Sequence, residues 1–481
     1  MRHDIIRMVV NSDDEAVDVT PMAPVTISSA SAEVERPCVG AARPETGAGG
    51  QDGEGTAAQR PSSHVASWLS RRRWPIATTV MMLGVGIAYL LFFGAVVHHR
   101  PIWTTGGDLW GITQAAQAVA RGRFGGVYDS GTFVLSVPGM EVLLAPVAKV
   151  VAWANLTANV GPYRYDHPTA ALLLVPVEIL AASTAVFAGD ALAERWKVGT
   201  GRRVGLCLVI GAVAWPVAVV WGHAEDCLSV AIAIYALMAV LDARWVQAGW
   251  LLGFAIAVQP LVGLLVPLLV GAAPGGRRVG FVLRSAALSV ALVSMALIDD
   301  TSATLHAVLQ QPTPIELNHG TPWAALSPVV AHTSIVVDGV RRHLTIVAGG
   351  PARLIYLALA VLVGVVVWRR PQTSVRLVWL AGLVLVGRCF FEAVMTPYYL
   401  APPLILCLVL AARHSTRRFI SAVILALAVT VFAYFHLGSW VWWLCVVASM
   451  ATIVVLAYPL SDVSPTHERD GGRHVTRAMV P

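Results

Sequence analysis

Ionisable side chains are scarce in this chain, so the few that interrupt its apolar stretches are the first candidates for chemistry. Asp108 follows Gly106-Gly107 and directly precedes a short amphipathic run. A carboxylate at a membrane–water boundary can act as a general base, taking the proton from a hydroxyl that attacks a lipid-carried group. Asp is also a favoured helix N-cap, and capping alone is the simpler reading of this position. Asp129, after Tyr128, is a weaker companion. The run Gly222-His223-Ala224-Glu225-Asp226 places three ionisable groups in five residues between two apolar stretches. Capping would account for these too, with Gly222 closing one helix and Asp226 opening the next. The other reading is a polar cluster facing an outer cavity, because ionisable groups at membrane depth face protein or water. His223 and the two carboxylates could also hold a divalent metal, but the spacing alone is weak ground for one. No metal site is assigned, and no motif demands a cofactor.

Arg388 and Glu392 stand four residues apart in an otherwise hydrophobic span, placed at about 375–396, and would share one helix face. They form either a buried structural ion pair or a site where the Arg388 guanidinium meets the oxygens of a lipid phosphate. If Glu392 neutralises Arg388 fully, the phosphate would need another cation, such as Arg341, Arg342 or Arg353. Pro397-Tyr398-Tyr399, at the outer end of that span, reads as an interfacial aromatic anchor or a cavity wall. Gln259 precedes Pro260 at the break between two short apolar segments, 247–258 and 260–273.

The elements that must position these residues are membrane helices. Of 481 residues, 56% are hydrophobic and 13% charged, about half the charge of a soluble protein. Apolar runs long enough to cross about 30 Å of hydrocarbon recur from Ile76 to Pro459. Lipid cannot satisfy exposed backbone groups, so such runs are helical. They do not alternate as barrel strands would. The expected fold class is all-α and polytopic, with about 11–13 membrane helices. The six cysteines form no CxxC pair and read as small apolar residues.

Residues 1–73 and 461–481 are polar and read as disordered cytoplasmic tails around a membrane domain over 74–460. Arg71, Arg72 and Arg73 should stay inside, so the first span, about 76–97, runs outward. The outer loop 98–133 then carries a helix whose Leu109, Ile112, Ala116 and Val119 share one face, as in a helix lying on the membrane surface. Basic loops from residue 189 onward fall inside, and the loop 299–350 falls outside. The net charge of +6 therefore reflects loop placement and no nucleic-acid partner. The alternation fails once, between 134 and 188. Segment 134–153, with Pro138, Glu141, Pro146 and Lys149, is either re-entrant or followed by a loop that breaks the rule.

No Walker A loop, HExxH, GxSxG or kinase set occurs. The order of features resembles the GT-C superfamily of membrane glycosyltransferases, and most nearly the bacterial polyprenyl-phosphate-mannose-dependent mannosyltransferases. The carrying residues are Gly107-Asp108 with the helix after it, Arg121-Gly122-Arg123 with Val127-Tyr128-Asp129, Gly222 to Asp226, and Ala248 to Pro260. The resemblance implies Asp108 as catalytic base and a substrate site drawn from Asp129, His223, Glu225, Asp226, Gln259, Arg388, Tyr398 and Tyr399. It also implies a polyprenyl-phosphate sugar donor, a cell-envelope glycan or glycolipid acceptor, and inversion at the anomeric carbon on the outer face of the cell membrane. The class often carries Lys where Gln259 stands, and Ser136-Val137-Pro138 stands where a Tyr-Pro-Pro is common. The alternatives are a transporter or flippase, since broken helices such as 247–273 occur in transporters, and a non-catalytic scaffold. No inverted repeat favours transport. Convergence of Asp108, His223, Glu225 and Asp226 on one cavity would favour the enzyme.

Overall fold

The computed structural model describes residues 62–97, 108–129, 134, 136–157, 168–337, 340–435 and 437–460. The tail expected over 1–73 lies largely outside them, as does the tail 461–481, but Ser62–Arg71 is helical (α1). Contacts divide the chain into a small unit, Val10–Arg71, and a main unit that holds everything from Arg72 onward.

The main unit is mostly helical. Long apolar runs become α2 (Arg73–Val97), α5 (Ala171–Arg195), α6 (Thr200–Pro216), α7 (Ala224–Leu241), α10 (Arg278–Asp299), α13 (Ser374–Phe391) and α16 (Ser439–Leu456). These are the seven helices, among the described residues, long and apolar enough to cross a membrane. Between them lie α3 (Leu109–Ala120), α4 (Gly139–Trp153), α8 (Trp245–Val258), α9 (Leu265–Ala272), α11 (Thr301–Leu305), α12 (Arg353–Arg369), α14 (Ala401–His414) and α15 (Thr416–Phe432). Seven is fewer than the expected 11–13 membrane helices; the other helices are shorter.

Charge marks the two ends of the bundle. At one end Asp190, fully buried, accepts from Arg72 at 2.6 Å and from Arg203 through Nε and Nη2, both at 2.8 Å. Arg202 caps the carbonyl of Ala412, Arg277 that of Ala243 and Arg418 that of Tyr458. Cations placed on the last carbonyls of a helix satisfy acceptors that have no partner within it. The polar residues singled out above gather at the opposite end.

That arrangement explains the failed alternation between 134 and 188. The start of α4 lies against the end of α8, where a β-carbon on Gly139 would stand 2.1 Å from the carbonyl oxygen of Ala257. Its far end also returns, for Thr157 is hydrogen-bonded to Thr169, just before α5. Both ends of α4 therefore lie at the same end of the bundle, so α4 does not run its length. Helix α3 departs from its expected surface position. Leu109, Ile112 and Ala116 belong to the main core, while Ala115 and Val119 pack with Val127, Tyr128 and Ala296 in a second one. Both cores lie along this one apolar stripe, while Trp110, Gln114 and Gln117 on the opposite face are only partly buried.

The all-α expectation is incomplete as well. Segment 313–347 forms a small sheet in which β1 (Thr313–Pro314) and β3 (Val329–Val337) flank β4 (Val340–Val347). Its Val, Ile and Thr content suits strands better than helix. A further pair, β2 (His319–Gly320) with β5 (Val394–Met395), ties the long loop to the chain after α13.

The Asp190 clamp makes a prediction. Asp190→Asn leaves two arginines without their buried partner and should lower stability by about 3 kcal/mol. Asp242→Asn, in the more exposed pairs with Arg195 and Arg244, should cost at most about 1 kcal/mol. Unfolding midpoints in detergent measure both, and equal effects would refute the clamp.

Candidate functional site

The site is built around a tight turn. Helix α6 ends at Pro216, passes through one π-turn, Val217–Trp221, and reverses at Gly222 in the left-handed region (φ 75). Only glycine occupies that conformation freely. Space demands glycine too: a β-carbon there would lie 2.7 Å from Leu109 Cβ and 3.0 Å from Leu109 N. The first turn of α3 thereby sits directly on the turn, and the Asp108 N–H donates to the Trp221 carbonyl at 3.1 Å.

This docking decides what Asp108 does. Its backbone takes the N-cap position of α3, but its side chain makes no capping hydrogen bond. The carboxylate instead meets His223 Nε2 at 2.8 Å and keeps 43% of its surface exposed. The other imidazole nitrogen, Nδ1, contacts Glu225 Oε1. Tyr398 stacks on the ring, centroids 3.9 Å apart. His223 is thus held at both nitrogens and on one face. Burial alone would lower its pKa, but the carboxylates of Glu225 and Asp108 outweigh burial and raise it well above its ordinary value.

Behind this imidazole lie buried carboxylates with spare capacity. Asp226 Oδ1 accepts from Gln259 Nε2 at 3.4 Å, and its Oδ2 has no hydrogen-bond partner. Glu225 Oε2 has none. Glu178, fully buried in α5, accepts from the Ala224 N–H at 3.1 Å through Oε2, while its Oε1 has no partner. Glu141 in α4 is buried with an unpartnered Oε2. The sequence reading missed Glu141 and Glu178. The available signal was a lone acid within an apolar helix, which is rare without a function or partner.

A cationic group adjoins the acids through neighbouring tyrosines. Tyr399, next to Tyr398, lies under the Arg388 guanidinium at 3.7 Å. The Arg388 Nε donates to Glu392 Oε2 at 3.1 Å, and Arg353 Nε donates to Glu392 Oε1 at 2.7 Å. Two guanidiniums share one carboxylate, so the group carries a net positive charge. The α13 helix stops at Phe391 rather than near 396 as its sequence suggests, because Glu392 is extended and Val394–Met395 pair with His319–Gly320 of the long loop. The exposed Phe390 carbonyl is taken by the indole N–H groups of Trp323 and Trp443, and Thr321 Oγ1 donates to the Glu392 carbonyl. Arg388 therefore sits one turn from the helix end.

Asp108, His223, Glu225, Asp226, Gln259, Tyr398, Tyr399 and Arg388 are brought together. Asp129 is not among them. It pairs with Arg123 at 3.8 Å on a half-exposed edge, because the turn Gly125–Tyr128 directs the chain toward the second core. Gly106 and Gly107, and the side chains of Arg341 and Arg342, lie outside the described residues. The arrangement offers an open carboxylate base, a guanidinium for an anion, and an acid cluster between them. Comparison with protein-family models and with curated proteins finds no match to this chain. Fold and site define a helical membrane protein with a polar cluster at one end of its bundle.

Gly222→Ala tests the turn. Forcing φ 75 on alanine and a β-carbon into Leu109 should destabilise the protein by about 1–3 kcal/mol. Gly84→Ala, with nothing within 4 Å, should be neutral or slightly stabilising, as alanine favours helix. Thermal unfolding of both variants measures the contrast, and its absence would mean that α3 is not seated on Gly222.

Proposed function

We propose that this protein is a GT-C-type membrane glycosyltransferase that moves a sugar, mannose-like, from a polyprenyl-phosphate donor to an envelope glycan or glycolipid on the extracytoplasmic face. The observation that carries this reading is the Asp108 carboxylate. It is open to solvent, aimed by His223 and placed on the same side of the bundle as Arg388. In the reaction the acceptor oxygen forms a bond to the anomeric carbon as that carbon's bond to the phosphate oxygen breaks. The electron pair leaves with the polyprenyl phosphate, and the acceptor proton passes to Asp108. Attack opposite the departing phosphate inverts the anomeric centre. Negative charge grows on the phosphate, and Arg388, not consumed by Glu392 because Arg353 shares it, supports that charge. Gln259, where the resembling class often has lysine, holds Asp226 and leaves the cationic role to Arg388. A site at one end of the bundle suits transfer between lipid-borne substrates better than transport, which favours a site midway between two halves.

Asp108→Asn tests the base. The asparagine amide oxygen can still accept from His223 Nε2 but takes no proton from a hydroxyl, so transfer from a polyprenyl-phosphate sugar should fall at least about 100-fold with unchanged folding. Near-normal turnover would remove Asp108 from the reaction.

Arg388→Gln tests the phosphate contact. Arg353 still neutralises Glu392 in that variant, so folded yield should hold while donor use drops sharply. Arg388→Lys should restore part of it, since a point charge still meets phosphate. Glu392→Gln, which leaves two arginines facing each other, should lower folded yield instead. Loss of yield but not of specific activity in Arg388→Gln would sink the phosphate role.

A further inference from the structure

We infer that His223, Glu225 and Asp226 form a divalent-cation site, best suited to manganese, at the base of the proposed transfer site; only its use in transfer rests on that functional reading. One ligand atom from each of the three residues lies within 4.8 Å of the others. Ligands on opposite sides of an ion bound at about 2.1–2.5 Å stand about 4–5 Å apart, so the three can close on one ion with small side-chain adjustments.

The second observation is the set of unsatisfied oxygens. Buried polar atoms are nearly always hydrogen-bonded. Here Glu225 Oε2 and Asp226 Oδ2 lack partners, on residues 7% and 0% exposed. Glu178 Oε1, also fully buried, lacks one too, while its other oxygen holds the Ala224 N–H between His223 and Glu225. The Glu178 carboxylate is thus aimed at the cluster from a different helix. These buried acids outnumber the single positive charge that the His223 ring can carry, and a divalent cation among them would relieve their repulsion.

The third observation is the arrangement of the imidazole. A metal-ligating histidine characteristically donates its other ring N–H to a carboxylate, which sets the tautomer. His223 has that geometry: Nδ1 faces Glu225, and Nε2 meets Asp108 at 2.8 Å. With Nε2–H donating to Asp108, Nδ1 would release any proton it holds and turn its lone pair from Glu225 Oε1 to an ion shared with Glu225 and Asp226. One nitrogen with carboxylate oxygens is a hard, mixed donor set, which fits manganese better than the thiolate-preferring metals. Asp108 then acts as the orienting partner through one oxygen, leaving the other for the acceptor hydroxyl. The ion would add a second positive charge beside Arg388 for the donor phosphate.

The experiment uses the purified full chain in detergent, stripped with a chelator and titrated with manganese(II) chloride. Electron paramagnetic resonance counts bound ions, and its pulsed form reads nitrogen coupling from a ligating imidazole. One ion per chain with directly bound nitrogen is the expected result. The Glu225→Gln, Asp226→Asn double variant should weaken binding at least tenfold, whereas Asp299→Asn, at another acidic pair, should not. No bound manganese, bound manganese without nitrogen coupling, or affinity unchanged in the double variant would each overturn the site. If the double variant does not fold, the nitrogen coupling of the natural protein decides alone. Stoichiometric nitrogen-coupled binding without sugar transfer would support the ion site and overturn only the proposed reaction.

Discussion

The seat of α3 on the Gly222 turn is the contact on which the site depends. Asp108 is 115 residues from His223 along the chain, and nothing local holds them together. The turn has φ 75 and no side chain, so the Leu109 backbone can approach to a distance that any β-carbon would forbid. The Asp108 N–H to Trp221 carbonyl bond then fixes the start of α3 against the end of α6. Once that backbone contact forms, the Asp108 carboxylate has one well-placed donor, the His223 ring, and gives up the capping role its position suggests. The apolar stripe of α3 is itself held by both apolar cores.

Charge is handled in opposite ways at the two ends of the bundle. At the arginine-rich end Asp190 receives two guanidiniums, and other arginines cap helix carbonyls. Such pairs hold helices in register but leave little for a ligand. At the other end the matching is deliberately incomplete. Glu392 is shared by two arginines, while Glu141, Glu178, Glu225 and Asp226 each keep a buried oxygen with no partner. Unsatisfied buried polar atoms are costly, so a fold tolerates them where a bound ion or substrate completes the set. Tyr398 and Tyr399 join the two unmatched groups, one ring on the imidazole and its neighbour under the guanidinium.

The polarity of the helices was legible from periodicity and from the distribution of arginine, because hydrocarbon enforces helices and short basic loops resist translocation. The exception at 134–153 was visible only as a broken alternation. Its apolar content suits lipid and protein equally, and composition cannot distinguish a segment that crosses from one that turns back between α8 and α5. Likewise the apolar stripe of α3 was legible, but a stripe does not say whether lipid or protein covers it. The end of α13 was misplaced because its terminating contacts, the indoles of Trp323 and Trp443 on the Phe390 carbonyl, come from residues far along the chain.

The sequence by itself determined the membrane class, the alternating helices and most of the polar residues that matter, since an ionisable side chain in an apolar run must find a partner or a purpose. It also offered Asp108 and, as a weaker companion, Asp129 on one loop. Only the tertiary structure separated them, by seating the first on Gly222 beside His223 and sending the second to Arg123. It alone revealed that Glu178 and Glu141, single acids in distant helices, reach the same cluster. The physical reason is that helix periodicity and hydrophobicity are local, whereas the convergence of carboxylates depends on which helix faces meet, and that is set by packing between segments.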